Sequence, residues 1–89
     1  MRIEEKKGQF TAKDEQDRIM GLVTYKKAGE KSIELDHTEV EDEHKGKGIA
    51  SVLVKSVADY ARQNSLHVIP TCPYAVTWFE KHEEEKDLL

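Results

Sequence analysis

Apolar and polar positions alternate through the first half of the chain. In Gln9–Ala12, Phe10 and Ala12 share one face, and the polar run Lys13–Asp17 after them reads as a connecting loop. From Arg18 to Lys26, Ile19, Val23 and Tyr25 share one phase while Met20 and Leu22 fill the other, which predicts a central strand covered on both faces. Ala28-Gly29-Glu30 supplies a turn, and Ser32–Val40 follows as a third strand, so the short connections predict an antiparallel meander. The charged opening, Met1 to Gly8, carries little pattern and is expected to fray before a turn at Gly8.

The second half changes period. Ile49, Leu53, Val57 and Tyr60 recur at helical spacing, and Ala50, Val52, Val54, Ala58 and Ala61 widen the stripe, predicting a well-buried helix over Ile49–Gln63 that ends near Asn64. Leu66–Ile69 reads as a brief strand stopped by Pro70, and strand, helix, strand favours a parallel crossover. Pro73 to about Glu84 holds Val76, Trp78 and Phe79, with Trp78 and Phe79 in the core, and becomes polar after His82. An amphipathic helix with Glu83-Glu84-Glu85 as a solvated end is expected.

Composition narrows the function classes. Eighty-nine residues make one small domain, and 37% apolar with 36% charged residues supports one thin core. A net charge of −4 argues against a general nucleic-acid or anionic-membrane binder, so any anion site must be local. The longest apolar run, Val52–Val54, is far short of the roughly 20 residues a membrane span needs. Cys72 is the only cysteine, which allows no internal disulfide and fits a reducing, cytoplasmic setting. His44, His67 and His82 share no ligand spacing with it, so no metal site is expected.

The sharpest local signal is Glu43-His44-Lys45-Gly46-Lys47-Gly48-Ile49-Ala50, between a strand end and the start of the main helix. Paired glycines let the backbone turn tightly, and the first N–H groups of the helix face outward at the positive end of its dipole, a geometry that binds phosphate. Lys45, Lys47 and His44 add positive charge despite Glu39, Glu41, Asp42 and Glu43 just upstream. A plain helix-capping loop would show the same glycines. The spacing of a nucleotide P-loop or a Rossmann turn is absent.

Lys45-Gly46-Lys47-Gly48-Ile49-Ala50 resembles the acyl-CoA pyrophosphate loop of the GNAT N-acetyltransferases, Arg/Gln-x-x-Gly-x-Gly/Ala, with Lys45 where the pattern has Arg or Gln. His37-Thr38-Glu39-Val40 before it and Pro70-Thr71-Cys72-Pro73-Tyr74 after it resemble the minimal, single-domain branch of that superfamily, and the similarity spans about residues 9 to 83. The resemblance implies a compact α/β fold: an antiparallel meander continued by a parallel strand pair, splayed at an acetyl-CoA site, with two main helices. It also implies an open acceptor site, since the N-terminal helices of larger relatives have no room here. Ile33, Leu35 and His37 share a phase and Val40 falls in the other, which suggests a β-bulge in the third strand, as in GNAT folds.

By resemblance, backbone groups of Val40 with Glu39 or Glu41 would meet the acyl arm, and His44, Lys45, Gly46, Lys47, Gly48, Ile49 and Ala50 would hold the diphosphate. Cys72-Pro73 reads as a helix N-cap followed by proline at the first helical position. A helix N-terminus can make a thiol placed there more reactive, although a free cysteine is as readily a small apolar filler. The minimal branch has a His and a Cys at positions matching His37 and Cys72, both at its active site. That implies His37 as general base and Cys72 as a possible acyl carrier, while Tyr74 would either protonate the leaving thiolate or simply pack. The expected activity is acetyl-CoA-dependent transfer to an amine acceptor that the sequence does not name. A non-catalytic CoA-binding or protein-interaction module, or a structural domain, would share the sequence features, and the oligomeric state is open.

Overall fold

The computed structural model describes residues 1–89. Five strands form one sheet in the order β1 (Arg2–Lys6), β2 (Gln9–Lys13), β3 (Ile19–Lys27), β4 (Ser32–Val40) and β5 (His67–Pro70). The first four are antiparallel neighbours, and β4 pairs with β5 in parallel through α1 (Ile49–Gln63). Helix α2 (Pro73–Lys81) follows β5, and a 3-10 segment, Glu83–Leu88, closes the chain. The mixed α/β architecture and the meander are those expected from the sequence.

One face of the sheet carries the core. Phe10, Ala12, Val23, Tyr25, Ile33 and Leu35 point toward α1, which buries Leu53, Val54, Val57, Ala58 and Ala61 against them. The rings of Phe10, Tyr25 and Tyr60 cluster with centroids 5.1–6.2 Å apart, which locks the C-terminal half of α1 to β2 and β3. Helix α2 lies beside α1 with Trp78 and Phe79 buried, and the Trp78 indole N–H donates to Ser51 Oγ at 2.9 Å. Gly21 is a close approach: a Cβ there would meet Glu39 O at 2.7 Å and Leu53 Cδ1 at 3.3 Å, so β3, β4 and α1 come together only over glycine.

Three expectations need correction. Met1–Gly8 does not fray: β1 pairs residue for residue with β2, Ile3 packs on the core, and Lys13 joins Glu4 at 3.1 Å. Its charges are those of an edge strand kept from further pairing. β3 is not covered on both faces, since Ile19 is 49% exposed and Leu22 only half-buried. The last helix ends at Lys81 rather than near Glu84, and Glu85 is not solvated. It is 3% exposed and accepts hydrogen bonds from Lys55 at 2.6 Å and Arg62 at 2.7 Å, which straps the tail over α1 and seats Leu88 in the core.

Candidate functional site

β4 sets the geometry of the site through one extra residue. Tyr25 pairs with Leu35 and Thr24 with His37, leaving Asp36 unpaired as a bulge whose carboxylate accepts from the Thr24 hydroxyl at 2.7 Å. The bulge therefore exists but lies ahead of His37, not between His37 and Val40. A single inserted residue flips every following side chain. Thr38 and Val40, opposite Val23 and Gly21, take the face that Ile33 and Leu35 hold before the bulge, while His37 and Glu39 turn to the other face, each 57% exposed. His37 is thus out of phase with Ile33 and Leu35, contrary to the sequence pattern, and its charged neighbour is Glu39 at 3.8 Å.

The same bulge coincides with the end of the parallel pairing. Register between β4 and β5 runs from Ser32 opposite His67 to Leu35 opposite Pro70, after which Leu35 O accepts from Thr71 N at 3.0 Å and β4 continues to Val40 paired with β3 only. The splay expected from the sequence is therefore present. Glu41 N–H is taken by Met20 O at 2.9 Å on the β3 side. Alternation along the strand then turns the Val40 N–H toward the gap left by β5. Of the three residues expected to offer backbone groups, Val40 faces the gap, while Glu39 and Glu41 turn theirs toward β3.

A groove of about 420 Å³ opens beside this gap, lined by Thr38, Val40, His44, Lys45, Gly46, Gly48, Ile49, Ala50 and Tyr74. Its floor is the turn into α1. Asp42–His44 form a 3-10 turn, and Gly46 and Gly48 then adopt left-handed φ of +82° and +79°. A Cβ at either would meet nothing within 4 Å, so glycine is required by the backbone conformation and not by crowding. Gly48 is the N-cap of α1 and gives it no side-chain cap. Val52 N–H is the first to bond back, to Gly48 O at 3.2 Å, so the N–H groups ahead of it are free to meet an anion at the positive helix end.

The charges near this turn are partly paired with one another. Lys45 Nζ lies 2.9 Å from Asp42, whose carboxylate raises the lysine above its usual range and is itself held low. Lys47 Nζ lies 3.4 Å from His44 Nδ1. A diphosphate would draw Lys45 away from Asp42 at modest cost, since both side chains are largely exposed.

Cys72 caps α2 as its sequence implied. Its sulfur accepts from Ala75 N–H at 3.4 Å with Pro73 at the first helical position, and its residue is 7% exposed. Its second contact is Thr38 Oγ1 at 3.4 Å. Tyr74, two residues on, is 41% exposed and lines the groove. The structure thus gathers Val40, the glycine turn, Tyr74 and, through Thr38, Cys72, and leaves His37 on the opposite face. Thr38 is the residue that sequence reading missed: only the position of the bulge reveals it.

The GCN5-related N-acetyl-transferase family model matches residues 9–88. Among curated proteins, Protein NATD1 of Gallus gallus is 31% identical over 83 residues, covering 93% of this chain and 72% of its own. A GCN5-like protein of Staphylococcus aureus, solved by NMR, superposes with a TM-score of 0.80 at 31% identity over 98% of this chain and 85% of that one. Rv2747 of Mycobacterium tuberculosis, solved in complex with CoA and NLQ, shares the fold at a TM-score of 0.73 and 19% identity, covering 85% of this chain and 47% of its own. With the family match running from β2 through the glycine turn and both helices, the chain belongs to the GCN5-related N-acetyltransferases, whose acyl donor is acetyl-CoA.

Proposed function

We propose that the chain transfers an acetyl group from acetyl-CoA to a primary amine. The observation that carries this reading is the uncapped, left-handed Gly46–Gly48 turn opening directly onto a groove that ends at the splay between β4 and β5. Bound there, acetyl-CoA supplies an activated thioester. The N–H groups from Gly46 to Ala50 hold a diphosphate, with Lys45, Lys47 and His44 adding charge at the rim. Val40 N–H, facing the gap, donates to a carbonyl oxygen as negative charge develops on it. Tyr74 lines the groove, and its O–H returns a proton to a departing thiolate. His37, exposed on the far face of β4, takes a proton from an amine that arrives over that face.

The contact between Thr38 and Cys72 favours a second route, in which Cys72 carries the acetyl group. Its sulfur would attack the thioester carbonyl, CoA would leave as the thiol with the cysteine proton, and the amine would then attack the acetyl-Cys72 carbonyl, breaking its C–S bond and returning the amine proton to the Cys72 sulfur. Mass spectrometry of the chain mixed with acetyl-CoA and a panel of amines tests both routes. An acetylated amine is the expected product. A Cys72 adduct, with activity lost in Cys72→Ala, selects the carrier route, and full activity of Cys72→Ala selects direct transfer. CoA binding without transfer to any amine would reject the enzymatic reading in favour of a non-catalytic CoA-binding module.

A further inference from the structure

We infer that Thr38, which lines the groove, is a positioning residue for Cys72, its hydroxyl holding the buried sulfur from the face of β4 where the sequence pattern puts His37. The inference rests on the acetyltransferase reading for its purpose, but its geometry stands apart from it. The bulge at Asp36 sends Thr38 to the groove face and His37 to the opposite one, so β4 offers the sulfur a hydroxyl and not an imidazole. The Thr38 Oγ1 to Cys72 Sγ distance is 3.4 Å, and Ala75 N–H approaches the same sulfur at 3.4 Å from the first turn of α2. With the Thr38 hydroxyl on one side and the Ala75 N–H on the other, the sulfur is held between strand and helix. The β-branch of threonine restricts χ1 and keeps the hydroxyl from swinging away. Tyr74 on α2 and His44 and Lys45 on the glycine turn are the titratable groups that line the groove. His37 and Glu39 lie across the strand.

The test is the pH titration of the Cys72 thiolate, followed by its far-ultraviolet absorbance with Cys72→Ala as the blank. It needs no CoA, and the chain has no other thiol. Thr38→Val keeps the branched shape and removes the donor. It should move the midpoint up by roughly half a unit or more, as expected for losing one hydrogen bond to a charged acceptor, while Thr38→Ser keeps the wild-type midpoint. If Thr38→Val does not fold, Thr38→Ala against Thr38→Ser makes the same comparison. Superimposed curves for wild type and the hydroxyl-free variants would overturn the inference, as would a shift in His37→Gln equal to that in Thr38→Val. A chain that passes this titration but transfers no acetyl group refutes the functional reading alone. A transferase with superimposed curves refutes the role of Thr38 alone.

Discussion

Gly48 stands at φ +79° with open space where a side chain would be, so its replacement is resisted by backbone conformation alone. A residue with a Cβ costs about 1–2 kcal/mol in this region, and the turn would relax to avoid that strain. Gly46→Val and Gly48→Val should therefore weaken CoA binding at least about tenfold by calorimetry, because the donors lose their convergence, while thermal unfolding shifts only a few degrees. Unchanged affinity in both variants would mean that the diphosphate is not held by this turn. The glycine pair was legible in the sequence because it is local chemistry: spacing, position before a helix and absence of a capping side chain. The Cys72 cap was legible for the same reason. The side-chain direction of His37 was not, since it depends on which residue of β4 is extra. Asp36 is polar whether it is bulged or paired, and its identity as the bulge emerges only from register with Thr24 and Tyr25.

At the level of elements, the strap over α1 shows how a charged run can be structural. Glu85 is nearly buried, and its hydrogen bond from Lys55, reinforced by Arg62, holds its carboxyl below the usual glutamate range. A carboxylate whose folded-state pKa is lowered stabilises the fold above its unfolded value, and the contribution disappears as pH falls through the lowered one. Removing that charge leaves Lys55 and Arg62 half-exposed with Asp59 and Asp87 still nearby, so Glu85→Gln should cost about 1–3 kcal/mol at neutral pH. Thermal unfolding from about pH 7 down to pH 3 checks this: the gap between wild type and Glu85→Gln should close as pH falls below the ordinary glutamate range. A gap that stays constant would show that Glu85 acts by packing and not by charge. The strands and helices themselves followed from periodicity. The edge strand β1 and the strap did not, because both are held by long-range ion pairs and a few apolar contacts, Ile3 and Leu88, that single residues in charged runs do not announce.

Across the whole molecule, the sheet divides the work. One face is closed by α1, and the other is open at His37 and Glu39. The groove reaches the gap between β4 and β5 from the helical side, so under the proposed function acyl donor and acceptor approach the gap from opposite faces of the sheet. That arrangement depends on a diphosphate being gripped by main-chain donors at the start of α1. Thermal unfolding of the wild-type chain with CoA compared with pantetheine, which lacks the diphosphate, tests the grip most directly. At about 100 times its dissociation constant CoA should add about 2.7 kcal/mol, raising the midpoint by roughly 10 °C or more, while pantetheine at the same concentration shifts it little. Equal stabilisation by both compounds, or by neither, would contradict the account.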